Sequence, residues 1–315
     1  MDSVLKAISS LQPMHSVAGF IVGTLIGLTG VGGGSLMTPL LILLFGLHPS
    51  TAVGTDLLFA ATTKSAGTLV HGINQTIDWR VVGRLAVGSV PATVMSMACL
   101  SYIDITSSIA KEIITAVLSI ALLVTAVLLT SRRWIIKRYA SQVGNLTRSC
   151  TAILTIAVGA VLGVLVSISS VGAGAIGMTA LVLLYPQLPT PRLVGSDIAH
   201  AVPLTFVAGM LHWVLGSADL HVFASLILGS IPGILIGSYF VARIPEPALR
   251  LALAIILVIV ATKLALGIDA RIRSHPQQLS FTSLTFSRLS RSPALLSSRS
   301  EFHPKLLSGL YCQFA

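Results

Sequence analysis

No Asp, Glu, Lys or Arg occurs in the 49 residues from Ala7 to Thr55, and a second uncharged stretch of 43 residues runs from Ser149 to Pro191. A helix that crosses the roughly 30 Å hydrocarbon core of a bilayer needs about 20 apolar residues, because it rises about 1.5 Å per residue. Each stretch is therefore long enough for more than one pass. Charged residues make up 10% of the chain and hydrophobic ones 54%, whereas an average soluble protein is roughly a quarter charged. The chain reads as an all-α polytopic membrane protein. A soluble multidomain enzyme, a nucleic-acid binder and a disulfide scaffold are set aside. Half of the net charge of +10 lies in residues 271–315, and Cys99, Cys150 and Cys312 are far apart, odd in number and without metal spacing. The opening residues Met1 to His15 lack a basic region followed by a short apolar run and a cleavage site, so no cleaved signal peptide is expected.

Hydropathy and helix breakers mark eight segments: Val17–Phe45, Ser50–Gly72, Val81–Ile103, Ile109–Ser131, Cys150–Leu184, Pro191–Leu215, Leu220–Val241 and Pro247–Leu266. The first and fifth are too long for one plain helix and carry glycines near their middle, which predicts a broken helix in each. Non-helical backbone at membrane depth is tolerated only where protein or water covers it, so the breaks should face inward. The chain also repeats itself. Gly19, Gly23, Val31, Gly32 and Gly34 recur 140 residues later as Gly159, Gly163, Val171, Gly172 and Gly174. At an offset of 141, Val53, Gly54 and Asp56 become Val194, Gly195 and Asp197, His71 becomes His212, Asp78 becomes Asp219, and Pro91 becomes Pro232. This predicts two homologous four-segment halves. The expected divisions are an N-terminal segment 1–16, a first repeat 17–131, a basic cytoplasmic loop 132–149, a second repeat 150–268 and a disordered Ser- and Arg-rich tail 269–315.

Orientation follows from basic residues in short loops. Arg132, Arg133, Lys137, Arg138 and Arg148 form the clearest cluster, and Lys263, Arg271 and Arg273 end the eighth segment. If both clusters are cytoplasmic, an even number of crossings separates them. This favours four crossings per half and parallel repeats about an axis along the membrane normal. Re-entrant hairpins at segments 1 and 5 would instead give three crossings per half and inverted repeats.

The run Gly27-Leu-Thr-Gly-Val-Gly-Gly-Gly-Ser35 has neither the third glycine of a dinucleotide fingerprint nor the Gly-Lys-Ser/Thr ending of a phosphate loop. Glycines at this density free backbone N–H groups and can end one half-helix while starting another, whose positive end faces an anion at the membrane midplane. Gly19, Gly23 and Gly27, at four-residue spacing, fit close helix packing instead. Segments 2 and 6 carry the ionisable groups: Asp56, Lys64 and His71 in one, Asp197, His200 and His212 in the other. Ionisable side chains inside a span are costly and mark an ion or substrate path. Lys64, near the middle of its segment, is expected to be the counter-charge of an anionic substrate. The candidate binding set is Gly32, Gly33, Gly34, Thr55, Lys64, Gly172, Gly174 and Ser196. Asp56, Asp197, His71 and His212 are the candidates for proton coupling. Both aspartates also suit helix caps, and both histidines suit wet helix ends. No HExxH, paired-carboxylate or Ser/His/Asp pattern points to an enzyme, and no metal or cofactor is expected.

These residues resemble the TauE/SafE family of sulfite exporters. The resemblance rests on Gly30, Gly32, Gly33, Gly34 and Pro39, on Val53-Gly-Thr-Asp56 with its echo Val194-Gly-Ser-Asp197, on Thr63-Lys-Ser-Ala-Gly-Thr68 and on the Asp78-Trp-Arg80 loop, and it covers about residues 15–268. It implies a secondary transporter in the bacterial inner membrane that exports a small sulfur-containing anion, sulfite or an organosulfonate, with the lipid bilayer as its surroundings. Proton coupling, a different small anion, a homo-oligomer and a membrane assembly protein that moves nothing all stay open. The tail lies outside the resemblance.

Overall fold

The computed structural model describes residues 13–29, 34–102, 107–144, 147–240 and 246–274. Within them the chain forms ten helices and no strand. They are α1 Pro13–Thr29, α2 Gly34–Phe45, α3 Pro49–Ile73, α4 Trp79–Ser101, α5 Ser108–Gly144, α6 Arg148–Ser169, α7 Ala175–Leu184, α8 Thr190–Val214, α9 Leu220–Phe240 and α10 Glu246–Ser274. Among the described residues, five helices are long and apolar enough to cross a bilayer: α4, the Ala110–Ser131 part of α5, α6, α8 and the Leu220–Gly237 part of α9.

The helix starts follow from local chemistry. Pro49 opens α3 at a position where its missing N–H costs nothing. Asp78 accepts from the backbone N–H of Arg80 and Val81 at the start of α4, and Asp219 accepts from His221 and Val222 at the start of α9. Both are therefore N-caps. The basic stretch expected as a loop is helical as far as Gly144, so α5 runs 37 residues, about 55 Å.

The two glycine breaks fall where expected, but the chain does not continue in line after them. His15 in the first turn of α1 stacks on Phe45 at the end of α2, ring centroids 4.2 Å apart. Thr155, early in α6, hydrogen-bonds the Tyr185 hydroxyl just past α7 at 2.8 Å. Both long segments are thus helical hairpins, each short helix running back along the longer one. The second turn is made by Ser170 at φ 59° and Gly172 at φ 116°. A Cβ at Gly172 would be strained there and would press on Leu165 and Ile176.

Glycines set the closest packing. A Cβ on Gly19 or Gly23 of α1 would strike the backbone of Leu226 or Ser230 in α9. Gly159 and Gly163 of α6 meet Leu85 and Ser89 of α4 in the same way. Small residues four apart allow this backbone approach, as in membrane GxxxG contacts. In both pairs the contact numbers rise together, so the helices are parallel.

The third pair is different. In α3 and α8, Gly54 meets His212, Leu58 meets Gly209, Gly67 meets Ile198, and His71 meets Gly195. One number rises as the other falls, so these helices are antiparallel. That direction differs from the parallel arrangement favoured by the charge pattern, in which equivalent helices run the same way. Val53, Leu57, Leu162, Val166 and Leu204 are buried together beside this pair. Outward-facing side chains on α4, α6 and α9 include Met95, Ile153, Val161, Leu228 and Leu235, all more than half exposed. Such an apolar exterior suits lipid contact.

Candidate functional site

The antiparallel register places Lys64 of α3 level with Val202 of α8, midway along both helices. Polar and ionisable groups lie to either side of this level. Asp56, eight residues before Lys64 on α3, has no exposed surface and accepts a hydrogen bond from the Thr38 hydroxyl of α2. Ser170, in the turn of the opposite hairpin, lies next to Asp56, and its own hydroxyl has no hydrogen-bond partner. Asp197 of α8 packs its carboxylate against Gly177 in the first turn of α7. The positive end of a helix favours a carboxylate there.

Lys64 lies within electrostatic reach of both Asp197 and Asp56. It is only half-buried, whereas both carboxylates are buried. An ionisable side chain at mid-span with carboxylates to either side marks a candidate substrate path. His200 of α8 also lies within electrostatic reach of Lys64. It is fully buried, and its Nε2 is 2.9 Å from the Ser89 hydroxyl of α4.

Thr55 and Ser196 are fully buried. The Thr55 hydroxyl accepts from the backbone N–H of Asp219 at 3.0 Å, and the Ser196 hydroxyl from that of Asp78 at 2.8 Å. Each therefore ties its own helix to the loop that follows the other. His71 and His212 close helix ends. His71 Nδ1 is 2.7 Å from the Thr76 hydroxyl, and His212 Nδ1 is 2.9 Å from that of Ser217. His212 Nε2 also donates to the Ser167 carbonyl at 2.9 Å. Gly174 stands at the start of α7 and Gly172 in the turn before it. Gly34 begins α2, while Gly32 and Gly33 lie outside the described residues, as does the tail from residue 275.

Thr38, Ser89, Ser170 and His200 belong to this cluster but were absent from the set expected on sequence. His200 carried a signal, as an ionisable residue within a span whose counterpart in the first half is Phe59. The three hydroxyls carried none, because serine and threonine are ordinary in such helices and only packing brings them to the carboxylates and imidazole.

The sequence profile of the family described as Sulfite exporter TauE/SafE matches residues 16–264. Among curated proteins, the chain is 37% identical over 247 residues to Probable membrane transporter protein YjnA of Bacillus subtilis, covering 78% of this chain and 96% of that one. It is 27% identical over 238 residues to Probable membrane transporter protein YdhB of the same organism, covering 74% and 92%. A further Probable membrane transporter protein, from Methanocaldococcus jannaschii, is 25% identical over 219 residues, covering 68% and 76%. No solved structure matches the chain. This is a family of membrane transporters and not of enzymes, so the chain is a multi-pass membrane transporter whose surroundings are the lipid bilayer and whose cargo is a small molecule. The profile match over most of its length and the YjnA relative together show that the chain belongs to the TauE/SafE sulfite exporter family.

Proposed function

We propose that the protein exports a small sulfur-containing anion, sulfite or an organosulfonate, across the bacterial inner membrane, and that the anion binds at Lys64 between the two hairpin turns. The position of Lys64 carries this reading. It is a half-buried cation midway along its helix, in electrostatic reach of two buried carboxylates. In this reading the backbone N–H groups of Gly34, Gly172 and Gly174 complete the cradle, with the half-helices α2 and α7 turning their positive ends to the anion; Gly32 and Gly33 stay in the proposed set and lie outside the described residues. Thr55 and Ser196 hold the helices that carry the site.

The charge count supports proton coupling. One ammonium and two ionised carboxylates leave the site at −1, so a bound monoanion would bring it to −2, and like charges at this range disfavour that state. A proton on Asp56 or Asp197 restores the starting charge. These two residues, rather than the hydrogen-bonded His71 and His212, are the proton carriers in this scheme. Anion and proton then travel together, and export runs down the anion's own gradient.

The topology belongs to the same proposal. Hairpins α1–α2 and α6–α7 each enter and leave by a single face, the two from opposite sides of the membrane. The crossings are α3, α4 and α5 in one half and α8, α9 and α10 in the other. The antiparallel pair α3 and α8 supports inverted repeats about an axis in the membrane plane. With three crossings per half, the basic stretch of α5 faces the cytoplasm and the Lys263 end of α10 lies on the opposite face.

Uptake of radiolabelled sulfite, sulfoacetate and sulfate into proteoliposomes tests the function. Saturable flux that rises when the outside is acidic and disappears in Lys64→Ala is expected. Absence of flux for all three with folded protein would sink the substrate class, and flux indifferent to the pH gradient would remove the proton.

A further inference from the structure

The second half places an imidazole beside Lys64 where the first half has only Phe59, and nothing in the scheme above uses it. His200 is fully buried, with Nε2 2.9 Å from the Ser89 hydroxyl and Nδ1 without any partner. The direction of the Ser89 bond follows from satisfaction of buried polar groups. Ser89 also has no exposed surface, and the hydroxyl has one hydrogen to place. Its counterpart Ser230 donates to the carbonyl of Ile227, whereas the Ser89 hydroxyl meets His200. If Nε2–H donated to it, the serine hydrogen would itself be left buried without an acceptor. Donation from Ser89 to Nε2 satisfies both atoms and fixes the neutral tautomer with its hydrogen on Nδ1. A buried donor left unpaired is costly, and it persists where an acceptor arrives from outside the fold.

We infer that His200 is a binding residue of the transport site, and that its Nδ1–H, oriented by Ser89, donates a hydrogen bond to an oxygen of the bound oxyanion. This rests on the anion site proposed at Lys64. The antiparallel register puts His200 within two residues of the level of Lys64, so one anion can be held by a charge from the first half and a directional N–H from the second. An ammonium accepts any anion. A fixed N–H between packed helices selects for an oxygen at one place, and His200 therefore contributes to selectivity among oxyanions as well as to affinity.

Equilibrium binding of sulfite, sulfoacetate and sulfate to purified protein in nanodiscs tests this, with thermal unfolding of every variant alongside. The side-chain amide of asparagine occupies the place of Nδ1 and that of glutamine the place of Nε2. His200→Asn should keep affinity for the best-bound anion within about threefold of the starting protein. His200→Gln should lose about tenfold, the worth of one buried hydrogen bond. Ser89→Ala, which frees the tautomer without removing the ring, should fall between them and change the ranking of the three anions. Equal affinity in all three variants, or equal loss in Asn and Gln with unchanged unfolding temperatures, would overturn the role of Nδ1 while leaving the Lys64 site intact. Binding that is absent in the starting protein, or unchanged in Lys64→Ala, would instead bring down the site itself and His200 with it.

Discussion

At the base of the first hairpin His15 stacks on Phe45. The same two positions in the second hairpin, 140 residues later, are Thr155 and Tyr185, which share a hydrogen bond of 2.8 Å. Arg84 of α4 adds a bond of 3.1 Å to the Tyr185 hydroxyl. One hairpin is closed by ring contact and leaves both nitrogens of a buried His15 without hydrogen bonds, while the other is closed by a polar chain through three helices. The contrast continues at mid-depth, where Lys64 faces Thr205 across the repeat and His200 replaces Phe59. Positions at one sequence offset therefore carry unequal chemistry. The helix pairs α1–α9 and α4–α6 close through glycines in the same way, and the inequality lies in the groups that the proposal places near a ligand.

The sharpest way to break the comparison is at its centre. Lys64→Ala should lower flux by about 100-fold, since removing one partner of a buried charge cluster costs several kcal/mol. Thr205→Ala at the equivalent position should change flux less than threefold, because its hydroxyl is spent on the Ala201 carbonyl. Equal effects at the two positions, measured in proteoliposomes, would mean that the halves contribute alike. Next comes the turn. Gly172→Ala should destabilise the protein by roughly 2 kcal/mol, the cost of forcing a side chain into a disfavoured backbone region, read as a lower unfolding temperature. An unchanged temperature would show that the turn relaxes. Tyr185→Phe makes the second hairpin resemble the first, and loss of its hydroxyl bonds should cost about 1–2 kcal/mol. If unfolding does not register the change, the polar chain is not what closes that hairpin. The smallest effect tests the shared part. Thr55→Val and Ser196→Ala should each cost about 1 kcal/mol and should match each other, since each removes one bond to the backbone of a capping aspartate. A large disparity would show that the two ties bear unequal loads.

Much of the fold was legible in sequence because membrane solvation is an unforgiving filter. Hydropathy and helix breakers predicted apolar helices, and α3, α4, α8 and α9 begin and end within about two residues of the segments expected. Gly19 and Gly23 announced a close helix contact, although not that the partner would be α9. Asp78 and Asp219 cap α4 and α9, the local task of an aspartate just before an apolar run. In the candidate site, Lys64 and the two aspartates stood out in sequence by their charge in an uncharged setting, whereas the contacts of the Thr55 and Ser196 hydroxyls with the loops that follow α8 and α3 were visible only in the fold.

What the sequence determined by itself is what local composition sets: that the chain belongs in lipid, where α3, α4, α8 and α9 start and stop, where glycine interrupts the long segments, and which charges are too costly to be incidental. Direction and partnership were decided only by tertiary structure. A glycine run permits either an in-line break or a reversal, and the local signal is the same for both. Only the contacts of His15 with Phe45 and of Thr155 with Tyr185 distinguish them. Hydropathy is likewise blind to the sense in which a helix crosses, so the antiparallel seating of α3 on α8, which sets Lys64 and His200 near one level with Asp56 and Asp197 to either side, is a property of packing between residues more than 100 positions apart.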